Sequence, residues 1–198
     1  MKEKLGDFAT VRTGLVVARK KAQLDSKNSI VYEQISLRCF STSIVLDKTQ
    51  TDEFISAESI NDKYLMREGD VIVRLRSPST AVYIGKENEG LLISSLLAVI
   101  RIDDSKLDAR YLAYYINSHF SQRQLQREIK GTAIPMLKTK DLEKLLITVP
   151  SMEEQKRVVK FLDLAQNEQN LLLSLVKEKQ QLSQAILDTI IQSSKDKQ

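Results

Sequence analysis

The stretch VPSMEEQKRVVKFLDLAQNEQ, Val149–Gln169, contains the sharpest change in local composition along the 198-residue chain. All six glycines and all three prolines lie at or before Pro150. Ser151 and Glu154 follow with the S-x-x-E spacing of a capping box, and acidic side chains in a first turn suit the positive end of the helix dipole. We therefore predict a helix from Met152 to about Gln192, on the order of 60 Å long at 1.5 Å per residue.

This predicted helix fills the second part of the chain, residues 151–198, and carries an apolar seam with 3–4 spacing. Polar residues interrupt the seam around Gln169 and at Lys179, which weakens a coiled coil but fixes its register and partner. A helix with one apolar stripe cannot bury that stripe alone, and packing along residues 1–150 would cover only part of it. We therefore predict coiled-coil pairing with an identical chain or with a different protein. The predicted interface residues are Val158, Leu162, Ala165, Leu172, Leu175, Val176, Leu182, Ile186 and Ile190.

The first part, residues 1–150, shows the mixed periodicity of an α/β (mixed α+β) globular domain. The segment Glu33–Phe40 alternates apolar and polar residues, which predicts a half-buried strand. The segment Gly69–Pro78 predicts a turn followed by a strand, with Val71, Val73 and Leu75 inward and Arg74 and Arg76 outward. Further strands are predicted in AVYIG, LLISSLLAVIRID and LITVP, and helices in ARYLAYYINSHF after the cap Asp108, in SQRQLQREIK before Gly131, and in KTKDLEKL.

The charge of the chain is unevenly distributed. There are 30 Lys and Arg against 26 Asp and Glu, a net charge of +4. Residues 151–198 carry equal numbers of each sign, so the whole excess belongs to residues 1–150. Positive residues bunch at 12–27 and 123–140, whereas residues 47–62 are mainly acidic. This polarised pattern suits a polyanion such as nucleic acid, with a solvated mixed surface as the simpler alternative.

The remaining composition favours a cytoplasmic protein. Cys39 is the only cysteine, and its neighbours Leu37 and Phe40 favour a buried structural thiol in a reducing compartment. The N-terminal MKEKLGDFAT lacks the apolar region of a signal peptide. No apolar run reaches the roughly 18 residues that a membrane span needs, so we expect no membrane partner.

Residues that would carry catalysis are missing from the sequence. It contains no P-loop and no G-x-G-x-x-G motif. The single histidine, His119, has no partners of the kind that zinc binding or His-based catalysis requires, and it reads as a surface or packing residue. Asp103 and Asp104 are adjacent and read as a turn after a strand. We therefore predict no catalytic residue and no metal site.

Four segments, in order along the chain, resemble one known family. They are KLGDFATVRTG (Lys4–Gly14), REGDVIVRLRSP (Arg67–Pro78), LDARYLAYYINS (Leu107–Ser118) and GTAIPMLKTKDLEKLLITVPSMEEQKRVVKFLD (Gly131–Asp163). The resemblance is to the DNA-specificity (S) subunit of type I restriction-modification systems. It covers one target recognition domain, residues 1–150, and one conserved spacer helix, residues 151–198.

The resemblance implies a non-catalytic subunit that reads one half of a split site in double-stranded DNA. Its helix would pair antiparallel with another and would dock methyltransferase (M) subunits, which would carry the S-adenosylmethionine, and indirectly the restriction (R) subunit. No cofactor is expected on this chain. A full S subunit has two such units and this chain has one, so a homodimer reading a palindromic split site is expected. A truncated or cassette gene product, or one part of a split subunit, remains open.

Candidate DNA contacts are positive and hydroxyl-bearing residues on loops marked by glycine or proline, because phosphates attract Lys, Arg, Ser and Thr, and base edges attract Arg. They fall into three groups: Arg12, Arg19, Lys20 and Lys21; Arg74, Arg76, Ser77, Ser79 and Thr80; and Lys130, Thr132, Lys138 and Lys140.

Two other classes of function compete with this hypothesis. The first is a coiled-coil adaptor, or a truncated S fragment, that binds only proteins and regulates or completes a restriction-modification complex. The second is a nuclease, for which the sequence offers no cluster of metal-binding residues.

Overall fold

The computed structural model describes residues 2–22, 29–41, 43–129 and 136–195. Two compact units form the chain, Met1–Arg157 and Val158–Gln198, so the first turn of the long helix packs with the globular unit. The predicted domain boundary after Pro150 stays a prediction. No helix in these ranges is both long enough and apolar enough to cross a membrane.

The described residues form eight strands and four α-helices, joined by short 3₁₀ turns. The strands are β1 (Lys2–Lys4), β2 (Ala9–Thr13), β3 (Ile30–Gln34), β4 (Asp52–Ser56), β5 (Val71–Arg74), β6 (Ala81–Tyr83), β7 (Leu97–Ile102) and β8 (Leu146–Thr148). The helices are α1 (Ala109–Asn117), α2 (His119–Glu128), α3 (Thr139–Glu143) and α4 (Met152–Lys195). This is the predicted class, a mixed α/β unit followed by one long helix.

The central element is an antiparallel four-stranded sheet with strand order β2-β7-β5-β6. Val71, Ile72 and Val73 of β5 are all fully buried, because the sheet is covered on both faces. On one face α1 packs against β6 and β5, and the Asn117 side chain bonds the backbone of Ala81 at 2.7 and 2.8 Å. The inward positions predicted for β5 are confirmed, and the burial of Ile72 adds a second buried face.

The strand predicted over Glu33–Phe40 is wrong over most of its length. β3 ends at Gln34, and residues Leu37–Cys39 form a 3₁₀ turn. The hydroxyl of Ser36 accepts a hydrogen bond from the Arg38 N–H at 3.2 Å, which gives the backbone a local partner that competes with a strand ladder. Ile35 is still buried, Leu37 is partly buried, and Cys39 is a fully buried free thiol as predicted.

The predicted starts of α1 and α4 are confirmed, whereas α2 begins at His119, inside the helix predicted from Ala109 to Phe120, because Ser118 ends α1 and caps α2. Asp108 caps α1 by accepting the Tyr111 N–H at 2.9 Å. Ser151 and Glu154 form the expected reciprocal capping box, with the Ser151 N–H donating to the Glu154 carboxylate at 3.1 Å and the Glu154 N–H donating to the Ser151 hydroxyl at 3.3 Å. The predicted C-cap Gly131 lies outside the described residues.

Two smaller two-stranded sheets complete the globular unit. β3 pairs with β4, and β1 pairs with β8 in the register Lys2↔Thr148 to Lys4↔Leu146. The β1–β8 ribbon brings the first strand of the unit beside its last strand. None of β1, β2 and β4 is among the predicted elements.

Candidate nucleic-acid interface

A backbone bridge joins the second and third groups of predicted DNA contacts. Arg76 and Met136 form an antiparallel bridge just after β5. The Leu137 N–H donates to the Leu75 carbonyl at 2.8 Å, and Leu137 is buried. Because Leu137 is anchored beneath this bridge, the exposed Lys138 that follows it lies beside the loop that carries Arg76.

The first group reaches the same region through β2. Arg12 and Thr13 end this edge strand, and they line one groove together with Thr139, the first residue of α3. Contacts between α3 and β2 hold this arrangement. Members of the three groups that are far apart in sequence are thus brought together: Arg76 through the bridge and Arg12 through the groove both lie beside the segment from Met136 to Thr139. The described contacts do not bring Arg19 or Lys21 to this segment.

The predicted contact residues differ in their exposure. Arg19, Lys21, Arg76, Ser77, Lys138 and Lys140 are exposed, and Arg12, Lys20, Arg74 and Thr80 are half-buried. Ser79 is buried, so its hydroxyl is withdrawn from the surface, and we leave it out of the proposed contacts. Lys130 and Thr132 lie outside the described residues.

Much of the positive charge on this surface has no acidic partner. Within the described ranges, Arg76, Lys138 and Lys140 form no ion pair, and neither does Arg12. Lys20 is different, because its ammonium pairs with the Glu58 carboxylate. Unpaired cations on one surface are free to bind a polyanion without first breaking an ion pair.

Two residues of this surface were missed by the sequence reasoning. Lys63 and Tyr64 belong to a 3₁₀ turn, which Asn61 caps by accepting the Lys63 N–H at 3.1 Å, and both line the groove that holds Arg12. Their sequence neighbours are mainly acidic, and no local motif marks them. Only the packing of this turn against the end of β2 brings them to the surface in question.

The titratable side chains of the described residues include no candidate metal cluster. No three His, Cys, Asp or Glu side chains among them are grouped so that they could hold a metal ion. Burial raises the pKa of Tyr83 and of Tyr111 above the ordinary tyrosine value. Tyr111 uses its hydroxyl to donate to the Thr148 carbonyl at 2.9 Å, so it has a structural role.

Comparisons with known proteins point to one family. The family described as "Type I restriction modification DNA specificity domain" matches residues 1–184. The type I restriction enzyme MjaVIII specificity subunit of Methanocaldococcus jannaschii is 26% identical over 144 residues, which are 69% of this chain and 33% of that protein. The chain therefore spans about a third of the length of this relative.

Solved structures share the fold. The HsdS subunit from Thermoanaerobacter tengcongensis matches 96% of this chain and 47% of its own, with a TM-score of 0.69 and 19% identity. The S subunit of the type I restriction-modification system from M. genitalium matches 89% of this chain and 41% of its own, with a TM-score of 0.56 and 14% identity. In both cases the chain spans less than half of the solved subunit.

Proposed function

The chain belongs to the type I restriction-modification DNA specificity family, and from this premise we propose that it reads one half of a split double-stranded DNA site. We assign it no catalytic step and no cofactor. Methylation, with S-adenosylmethionine, would be carried out by partner methyltransferase subunits, and cleavage by a restriction subunit that joins the complex through them.

The convergence of the three predicted loop groups carries this proposal. Arg12, Arg76 and Lys138 come from distant parts of the sequence, and the bridge and the groove described above bring them to one surface. Exposed Arg side chains can read guanine in the major groove, while Lys side chains bind phosphates without regard to sequence. A surface with both kinds of residue has what a DNA-reading domain needs.

The long helix supports docking to other subunits. In the unit Val158–Gln198, the consecutive residues Leu171, Leu172 and Leu173 are 72%, 57% and 61% exposed. Consecutive helical side chains lie about 100° apart, so these three span about 200° of the circumference. One partner helix covers a stripe of roughly 100°, so a single pairing would leave part of this surface in water.

We assign the two sides of this surface to two partners. The seam through Leu172, Val176 and Ile186 would pair with the helix of a second copy, which would replace the missing half of a full S subunit. The flanking residues Leu164 and Leu171, exposed at a spacing of seven residues, would receive a methyltransferase subunit. Twofold pairing would make the DNA site palindromic, with an unspecified spacer between its halves.

Selection from a random duplex library tests this proposal. The intact chain, mixed with the methyltransferase subunit from the same source, is expected to enrich two identical inverted half-sites. Arg76→Gln should relax or abolish the preference at one position of each half-site. Arg38→Gln is the matched control, because Arg38 is exposed but already paired with Asp52. An enriched pool with the composition of the input would contradict DNA reading and favour a protein-only adaptor.

A further inference from the structure

One groove of the globular unit has the composition of a phosphate-binding site. It encloses about 310 Å³ and is lined by Arg12, Thr13, Lys63, Tyr64 and Thr139. Two of these residues are cations, and the other three carry hydroxyl groups. Phosphate oxygens only accept hydrogen bonds, so they need a lining of donors. No carboxylate lines this groove among the described residues, and an anion would meet no repulsion from its walls.

Both cations of the groove have donor groups that are available to hydrogen-bond a ligand. The Nε of Arg12 is buried and has no hydrogen-bond partner in the described part of the chain, although buried donors in proteins are almost always paired. The Lys63 ammonium lies 5.0 Å from the centre of the Tyr64 ring, and this contact holds the charge near the groove without neutralising it. A ligand that accepts from Arg12 and Lys63 would satisfy both residues.

An adjoining groove is less suitable for binding an anion. It shares Lys63 and Tyr64 and adds Lys20, Ser59 and Asn61. Its second cation, Lys20, is paired with Glu58, which neutralises it and places a carboxylate nearby. The carboxylate of Asp62, next to Lys63 in sequence, lines a separate surface groove with Ser59 and Asn61. The groove that holds Arg12 is therefore the better place for an anion.

We propose that the groove of Arg12, Thr13, Lys63, Tyr64 and Thr139 binds one backbone phosphate of double-stranded DNA. Arg12 and Lys63 donate to the non-bridging oxygens, and the hydroxyl groups complete the hydrogen bonding. The location favours a duplex phosphate, because Thr139 directly follows Lys138 of the candidate interface. The inference rests on the proposed function, since the phosphate belongs to the DNA that the domain reads.

The salt dependence of binding counts such contacts. Each phosphate neutralised contributes about 0.9 to the slope of log Kobs against log salt concentration for B-DNA. For the intact chain on an enriched duplex, Lys63→Gln should make the slope shallower by less than about 0.9, because Arg12 still partly neutralises the phosphate, and the sequence preference should not change. The double variant Arg12→Gln/Lys63→Gln should lose about 0.9 in total rather than twice as much, because both residues serve one phosphate.

Lys48→Gln is the matched control. It removes the same charge from an exposed lysine that lies 3.8 Å from the Glu33 carboxylate, away from the groove, and it should leave the slope unchanged. Lys63 is exposed on a surface turn, so Lys63→Gln remains a fair test even where Arg12→Gln, at a half-buried residue, lowers stability.

The outcomes separate this inference from the function on which it rests. If the wild-type chain selects a sequence and Lys63→Gln keeps the full slope, the phosphate site is wrong and DNA reading stands. If the wild-type chain selects no sequence, both fail. Titration with inorganic phosphate, followed by amide NMR shifts at residues 12 and 63, separates the two sources of phosphate. Saturable shifts in the wild type, lost in Lys63→Gln while the DNA slope is unchanged, would mean a free-phosphate site and overturn the assignment to DNA.

Discussion

The side chain of Gln155 accepts the backbone N–H of Asp108 at 2.9 Å, which joins the first turn of α4 to the N-terminal cap of α1. The Gln155 amide also donates to the Lys106 carbonyl at 2.7 Å and to the Pro150 carbonyl at 2.9 Å. The Gln155 side chain is fully buried. Its three hydrogen bonds pair backbone groups that lie outside the helices and strands. One polar side chain thus fixes where the long helix begins on the globular unit.

We expect Gln155→Leu to lower the free energy of unfolding by about 2–4 kcal/mol, because three hydrogen bonds between a fully buried side chain and the backbone would be lost. Urea unfolding followed by circular dichroism measures the loss. The matched control is Gln166→Leu in the same helix, where the side chain bonds only Asn170 at 3.1 Å on an exposed surface. That change should stay within about 0.5 kcal/mol. Equal effects of the two changes would contradict the role given to Gln155.

A buried ion pair supports the start of β5. Arg101 donates to the Asp70 carboxylate at 2.8 and 3.0 Å, and Asp70 also accepts the Arg67 N–H at 3.0 Å. Arg101→Met would leave a buried carboxylate without its cation, and we expect a loss of about 3–5 kcal/mol in unfolding free energy. The double change Asp70→Asn/Arg101→Met should recover part of that loss, because it removes the unpaired charge. A double variant less stable than Arg101→Met would argue against this explanation.

Glutamate substitutions on the two sides of the long helix should distinguish its two proposed partners, the second copy and the methyltransferase subunit. The double change Leu172→Glu/Leu175→Glu should convert a particle of about twice 22.5 kDa into one of 22.5 kDa, as measured by light scattering. Leu171→Glu should leave the mass of the chain alone unchanged and reduce its binding of the methyltransferase subunit. Circular dichroism checks that each variant keeps its folded globular unit.

Either of two results would contradict this division of the helix. A Leu172→Glu/Leu175→Glu variant that remains a dimer would show that the pairing seam is misplaced. A wild-type chain that is monomeric alone, and enlarges only with the methyltransferase subunit, would move the partner helix to another protein. A split or truncated subunit would then be the better interpretation.

The capping box predicts a shift in acid titration. Hydrogen bonds from the Ser151 hydroxyl and backbone lower the pKa of Glu154 below 4.5. Because the Glu154 pKa is lower in the folded state, its ionised carboxylate stabilises the fold at pH values above the ordinary glutamate pKa. This stabilisation is lost as the pH falls through the lowered pKa of the folded state. Ser151→Ala should therefore raise the Glu154 pKa toward 4.5, as followed by NMR of its carboxyl carbon. Thr189→Ala, which removes a hydroxyl bonded to Ala185 in the same helix, should leave it unchanged.

Local sequence signals predicted the features that local chemistry determines. The capping residues Asp108 and Ser151 fixed the starts of α1 and α4, because N-cap hydrogen bonds are made within a few residues. The prediction of a strand up to Phe40 was wrong because the Ser36 hydroxyl accepts the Arg38 N–H and stabilises a turn. The alternating pattern of apolar residues contains no signal for this hydrogen bond. The alternation correctly predicted the burial of Ile35 and Cys39, but this burial does not require a strand, because Cys39 is buried within a 3₁₀ turn.

The candidate interface was only partly predictable for a different reason. Arg12, Arg76 and Lys138 stand out as cations near glycine or proline, yet their proximity depends on a bridge between residues 76 and 136. Lys63 and Tyr64 have no glycine or proline beside them, and they line the groove only because of tertiary packing. Ser79 is a hydroxyl-bearing residue next to a proline, as the pattern requires, but it is buried. A turn residue with a suitable side chain is therefore not always on the surface.

The pairing of β1 with β8 has a consequence for the inheritance of specificity. The first and last strands of the globular unit, Lys2–Lys4 and Leu146–Thr148, are adjacent. A block with neighbouring ends can be transplanted between host chains with little disturbance of what lies outside it. Under the proposed function, exchange of residues 5–145 by recombination would give a new target in a single genetic event, while this ribbon and the helix after it would keep their proposed contacts with other subunits.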